Sequence, residues 1–306
     1  MIKKPTITVA ISAYNEEKNI RSFLKSVLNQ KEDGFVLKEI WIYSDGSTDK
    51  TVTMAKSFHS KKISVVSDDK RLGKSSRLNT IYARLKTDIL VQSDADIIMS
   101  HPFVIKDLIQ PLLRRKKAGM CGGHMQPIPG KTFTEKAVNC TVEAYMPLRK
   151  MLHKGNNIFS VDGRLIAYKK ELVKKIYIPE DMTSNDKFTY FCCLKFGYTY
   201  HYVPSAVILY RSPTCLRDQL RQEGRFSCSY YRHCRYFPKK LVARERYIPR
   251  SFRIKTTILQ ALRHPIMCGY IFLINFYCRS KARDYEKIIT ARWPMAISTK
   301  AVIKII

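Results

Sequence analysis

The first 120 residues alternate short β-rich runs with stretches of helical periodicity, and this alternation narrows the folds open to the chain more than any other feature. Residues 6–12, Thr-Ile-Thr-Val-Ala-Ile-Ser, form the first β-rich run. Ile20, Phe23, Leu24, Val27 and Leu28 then recur at the spacing of one helix face. Residues 37–43, 63–67 and 89–93 supply three further strands, with helical stretches at 48–58 and 75–85. The pattern predicts an α/β fold, a mostly parallel sheet with helices on both faces. Ligands of such sheets bind outside the carboxyl ends of the strands. Chemistry is therefore expected in the residues that follow each strand.

Three of the four strands end in polar punctuation. Ala13-Tyr14-Asn15-Glu16-Glu17 follows the first, Ser44-Asp45-Gly46-Ser47-Thr48-Asp49 closes the second, and Asp94-Ala95-Asp96 follows the fourth. Turn chemistry and capping account for Asp45, Gly46, Ser47 and Asp49 taken alone. They do not account for three acidic clusters on one sheet edge of a chain with 55 basic and 25 acidic residues. Asp94 and Asp96 stand at i and i+2, so a continuing strand would turn both carboxylates to one side. Two hard oxygen ligands with open positions suit Mn²⁺ or Mg²⁺ bridging a diphosphate.

The basic excess is uneven. Residues 211–306 carry 21 basic and five acidic side chains, against 34 and 20 in residues 1–210. Such a field draws polyanions, whether nucleic acid, an anionic membrane surface or a phosphorylated substrate. Residues 265–277 are the most apolar stretch, shorter than the ~20 residues that span a bilayer as a helix. They suit an interfacial helix or a buried core helix. Nine cysteines without paired spacing predict a reducing compartment. Residues 1–5 carry no signal-peptide pattern.

The strand-end motifs, with Gly73-Lys74-Ser75-Ser76-Arg77-Leu78-Asn79 between them, resemble in order and spacing the family 2 glycosyltransferases of GT-A fold. Downstream, Val161-Asp162-Gly163-Arg164-Leu165-Ile166-Ala167-Tyr168 is similar to the family's Gly-containing segment before the acceptor region. Ser184-Asn185-Asp186 resembles its Glu-Asp motif, with Asn185 in place of the usual Glu. Gln222-Glu223-Gly224-Arg225-Phe226 resembles its Q-x-x-R-W motif, with Phe for Trp. The resemblance covers residues 5–230.

It implies an inverting, metal-dependent enzyme using a nucleotide-diphosphate sugar. Asn15, Glu16, Asp45, Lys74, Arg77 and Asp94 would form the donor site, with Asp45 on the base and Lys74 and Arg77 on the diphosphate. Asp96, supported by Asp94, would hold Mn²⁺ or Mg²⁺. Asp186 would be the general base, with a helix N-cap as its rival role. Gln222, Arg225 and Phe226 would meet acceptor or diphosphate. The expected organisation is a GT-A catalytic domain at 1–210 and a basic, apolar helical extension at 211–306.

Two partner classes fit the interleaved basic and aromatic residues of 211–255, single-stranded nucleic acid and an anionic membrane. The apolar stretch that follows favours the membrane. Arg217, Arg221, Arg225, Arg232 and Arg235 are then expected at headgroups, and Ile271, Phe272, Leu273 and Phe276 in the acyl boundary. The acceptor would be a glycan or lipid-linked molecule of polysaccharide biosynthesis. The protein would be cytoplasmic, peripheral or monotopic at the inner face of a membrane. A basic nucleic-acid-binding protein leaves the acidic clusters working against a polyanion. A metal-dependent nucleotidyltransferase does not predict Asp186, Gln222 and Arg225 at their spacing.

Overall fold

The computed structural model describes residues 4–290, 292 and 296–300; residues 1–3 and parts of the expected extension lie outside them. The chain runs β1 Thr6–Ala13, α1 Ile20–Leu28, β2 Val36–Asp45, α2 Thr51–Lys56, β3 Ile63–Asp68, α3 Lys74–Arg84, β4 Ile89–Ser93, β5 Ile97–Met99 and α4 Val104–Arg114. There follow β6 Ala118–Pro127, α5 Phe133–Met151, β7 Leu165–Lys169, α6 Lys170–Val173, α7 Asn185–Lys195 and β8 Thr199–Tyr210. Five helices complete it: α8 Leu216–Tyr236, α9 Lys239–Glu245, α10 Arg250–Arg263, α11 Pro265–Ser280 and α12 Ala282–Ile288.

Eight strands form one sheet in the order β3-β2-β1-β4-β7-β6-β8-β5. The four strands expected from sequence are its parallel half. β7 then pairs antiparallel with β4 and β6, and β5 antiparallel with β8. The stripe on α1 buries Ile20, Phe23, Leu24 and Val27 against one face. Leu78, Ile81 and Tyr82 of α3 fill the other. This two-sided burial leaves every residue of β4 buried, where a one-sided strand would alternate.

β6 pairs parallel with β8, whose register jumps between Tyr202 and Val207. That irregularity carries Pro204, which has no N–H to give a ladder. β6 is glycine-rich because its neighbours press close. A Cβ on Gly123 would meet the Ala206 carbonyl oxygen at 2.6 Å, and one on Gly122 the Tyr200 hydroxyl at 2.2 Å.

The helices after β8 pack unequally. In α8, Arg232 is buried and pairs with Glu286 of α12 at 2.5 Å and with Asp181 at 3.0 Å, so it ties helices together and does not face headgroups as expected. Arg235 reaches Glu286 at 2.6 Å and Arg221 pairs with Asp218 at 3.2 Å. α10 has no buried residue. α11 buries only Ile274 and Cys278, while Ile266, Phe272, Leu273 and Phe276 are each about two-thirds or more exposed. The helix is therefore neither a core helix nor a span. Among the described residues no helix is long and apolar enough to cross a membrane.

Gly123→Ala should destabilise the protein by about 1–3 kcal/mol or more, because the clash is with backbone and no rotamer relieves it. Urea unfolding with an unchanged m-value would register it; an unaltered midpoint would mean β6 and β8 are not in this contact.

Candidate functional site

The site grows from the loops at the carboxyl ends of β1, β2 and β4. The first two are laced together. Thr48 N donates to Asn15 Oδ1 at 2.8 Å, Glu16 N to Thr51 Oγ1 at 2.7 Å, and Glu17 N to Asp49 Oδ2 at 3.0 Å. Asn15, at φ +53°, sits at the crossing of the loops. Its amide is engaged by Thr48, so it ties the two loops together.

Asp45 ends β2 and is almost fully buried. It accepts from Leu72 N at 2.8 Å, from Gly73 N at 2.9 Å, and from Arg77 Nε at 2.9 Å. Gly73, at φ +94°, adopts a backbone conformation that a side chain would strain as it aims its N–H at the carboxylate. Arg77 is 4% exposed and also binds Asp68 and the Lys70 carbonyl. Expected at a diphosphate, it is instead the brace beneath Asp45, because a buried guanidinium goes where carboxylates neutralise it.

That brace fixes the start of α3, and Lys74, its first residue, reaches Asp94 at 2.5 Å. β4 stops at Ser93, so the Asp94-Ala95-Asp96 triplet lies in a bend and not on the continuous strand anticipated. The bend is pinned by Asp94 N and Ser93 Oγ donating to the Arg164 carbonyl at 3.3 and 2.7 Å. Burial and the charge of Asp94 raise the Asp96 pKa, against Arg164, Lys300 and Lys74. Glu16, also buried, is pushed up to about 7 by burial and by Asp96. Burial and mutual repulsion thus hold two neighbouring carboxylates, Glu16 and Asp96, above their ordinary range.

Part of the opposing positive charge comes from a residue the sequence reading missed. Lys300 pairs with Glu16 at 2.8 Å and donates to the Tyr14 and Asn15 carbonyls. It folds back across 284 positions of chain, held by Ser298 N donating to Asp218 at 2.7 Å and by Asn19 donating to the Lys300 carbonyl at 3.2 Å. No local pattern announces it.

Asp186 approaches from the other side. α7 begins at Asn185, so Asp186 lies inside the first turn and is not the N-cap, which is Ser184. Ser184 Oγ donates to Asp186 Oδ1 at 3.0 Å. Asn185 accepts from Ser75 at 3.1 Å and ties α7 to α3. Between the two sides stands Gly163, where a Cβ would lie 3.5 Å from the Asp186 Cβ and 3.8 Å from Lys74 Nζ. Asp162 pairs with Arg164 at 2.8 Å; burial would raise its pKa, but Arg164 outweighs it and pulls it down. Arg225 turns inward from α8, donates to the Thr183 carbonyl at 3.2 Å, and feels both Asp186 and Asp94. Phe226 is partly exposed beneath the Arg225 and Lys187 cations, and Gln222 is half-buried one turn earlier.

The structure thus brings together Glu16, Lys74, Asp94, Asp96, Asp186 and Arg225, with Asp45 and Arg77 forming an adjoining wall. Among the described residues no group of three metal-ligating side chains is spaced to hold an ion alone. Asp94 and Asp96 still fit Mn²⁺ or Mg²⁺, hard ions bound through one or two carboxylates and completed by phosphate oxygens and water.

The family model of glycosyl transferase family 2 matches residues 8–177. A probable glycosyltransferase, YdaM of Bacillus subtilis, is 25% identical over 90% of this chain, which spans 68% of that protein. The beta-monoglucosyldiacylglycerol synthase of Nostoc is 29% identical over 38% of this chain and only 25% of its own length. In fold, the chain resembles the mannosyltransferase PcManGT of Pyrobaculum calidifontis, solved in complex with GDP-Man and Mn²⁺. That match has a TM-score of 0.61 and 18% identity, over 94% of this chain and 86% of the other.

Asp45→Ala should cost about 3 kcal/mol by leaving the buried Arg77 cation with only the half-exposed Asp68 as its counter-charge. In Asp45→Ala/Arg77→Met, denaturant unfolding should show a loss well below the sum of the two single variants. Additive losses would mean that the pair is not the brace described.

Proposed function

The chain belongs to glycosyl transferase family 2, and on that premise we propose an inverting enzyme that takes a nucleotide-diphosphate sugar and uses Asp186 as its base. The observation that carries this reading is the meeting of Asp186 and the Lys74–Asp94 pair at Gly163, where a Cβ would lie 3.5 Å from the Asp186 Cβ and 3.8 Å from Lys74 Nζ. The cofactor is a divalent cation, Mn²⁺ or Mg²⁺, held by Asp96 and Asp94. When bound, it supplies charge that stabilises the leaving nucleoside diphosphate.

The remaining work falls to the protein's own groups. Asp45, fixed by Arg77 and Gly73, sets the wall for the nucleotide base. Lys74 and Arg225 supply positive charge to the diphosphate. Asp186 takes the proton from the acceptor hydroxyl as its oxygen attacks the anomeric carbon opposite the departing diphosphate, so the configuration inverts. The nucleotide sugar and Mn²⁺ in the PcManGT complex support this donor class.

The acceptor is proposed to be a glycan or lipid-linked molecule at an anionic membrane surface, on its cytoplasmic face. Residues 211–306 serve there as the acceptor-side, membrane-docking extension. Residues 250–281 hold six basic side chains and no acidic one. Ile254, Ile258, Leu262 and Ile266 are exposed beside Phe272, Leu273 and Phe276. Docking by α10 and α11 therefore joins the exposed Arg217 of α8, while the buried Arg232 takes no part at headgroups. A groove lined by Ala144, Tyr145, Met267 and Ile271 runs between these helices and α5. A relative named for a glucosyl diacylglycerol agrees with a lipid acceptor.

Asp186→Asn should keep Mn²⁺-dependent binding of the nucleoside diphosphate while turnover falls ~10²–10⁴-fold. Asp96→Ala should lose both. Calorimetry with UDP and GDP separates the two, and a parallel loss of binding in Asp186→Asn would remove Asp186 as base. For the membrane, sedimentation with phosphatidylserine vesicles should weaken at high salt. It should weaken about ten-fold or more for each of Phe272→Ser and Phe276→Ser. Binding indifferent to lipid charge or to these residues would refute docking.

A further inference from the structure

Beside Asp186 lies a group of cations that the donor site proposed above does not use. Lys187 follows Asp186 on α7, and its Nζ stands 5.5 Å from the centre of the Phe226 ring. Arg246, just after α9, donates through Nη2 to Ser229 Oγ at 2.9 Å and to His233 Nδ1 at 3.0 Å, while its Nε is buried without a partner. His233 is kept neutral for this, its pKa driven to about 3 by burial and by Arg246. Its Nε2 faces the Ser184 carbonyl at 3.4 Å. The arrangement aims a guanidinium from a fixed mount toward the residues beside the base. Arg149, near the end of α5, adds its charge at Asp162 and Lys187.

Lys187, Arg246 and Arg149 make no ion pair among the described residues, although 15 pairs form elsewhere. The carboxylates near them are few. Asp162 is taken by Arg164, and Glu223 bonds Ser227 at 3.3 Å. Asp186 faces Lys187 and Arg246, and Asp162 faces Lys187 and Arg149. Burial lowers the pKa of Lys187 and of Arg246, and Arg246 pushes Lys187 further down. Like charges held together in this way are relieved by an incoming anion. In the donor site proposed above, Lys74 and Arg225 serve the diphosphate, which leaves Lys187 and Arg246 for a second anion.

We propose that Lys187, Arg246 and Arg149 receive a phosphate group carried by the acceptor, placing its hydroxyl at Asp186. The proposal rests on the glycosyltransferase reading and narrows the acceptor to a phosphorylated molecule. Its phosphate belongs to either a soluble sugar phosphate or a lipid headgroup.

Calorimetry on the full chain with Mn²⁺ and UDP compares glucose 6-phosphate with glucose. A second arm compares phosphatidylcholine vesicles with and without phosphatidic acid. Binding that requires the phosphate in either arm, and weakens ~10–100-fold in Lys187→Met and in Arg246→Met, supports the site. Lys187→Arg should restore it. Whichever arm responds names the source. UDP affinity should stay within about two-fold in every variant, which also shows that each is folded; Arg149→Met replaces any that is not. No phosphate requirement in either arm, or phosphate binding indifferent to the folded variants, overturns the proposal. A wild-type chain that binds no nucleoside diphosphate at all would instead strike the glycosyltransferase reading beneath it.

Discussion

The pair of Asp45 and Arg77, each about 4% exposed, is the interaction on which the rest of the site depends. It joins the end of β2 to the first turn of α3 and leaves no freedom in where α3 begins. Lys74 then falls beside Asp94, and Ser75 beside Asn185 of α7. One buried ion pair thus sets the distance between donor-side carboxylates and the helix carrying Asp186. Two neighbouring N–H groups complete the Asp45 shell, the condition under which a buried charge pair is tolerable.

The same accounting explains the site's charge. A strongly basic protein builds a nest of carboxylates and then tempers it from distant chain segments, with Lys74 from α3, Arg164 from the loop before β7 and Lys300 from beyond α12. Burial first, and the neighbouring carboxylate second, still raise the pKa of Asp96 and of Glu16. Carboxylates short of counter-charge suit a divalent cation, while the cations around Lys187 and Arg246 suit an anion.

The parallel half of the sheet was legible because each strand is short, β-rich and followed by a helix with one apolar stripe. The second half was not. β6 is rich in glycine to admit Tyr198 and Tyr200, β8 carries Pro204 at an irregularity, and β5 has three residues. None of these carries a strand signature. At the site, the clusters after β1, β2 and β4 could be read, but the partners of a charge could not. Arg77 and Arg232 look like any surface arginine in sequence, yet each is about 97% hidden or nearly so against carboxylates. Lys300 contributes across nearly the whole chain, and no spacing rule reaches that far.

The account stands or falls on single displacement at a metal-assisted site. Proton NMR of the sugar first released when the protein hydrolyses an α-linked nucleotide sugar, drawn from a panel of UDP and GDP donors, measures this directly. Release of the β anomer, with Mn²⁺ or Mg²⁺ required, is the predicted result. Release of the α anomer, or an equal rate in EDTA, would contradict it.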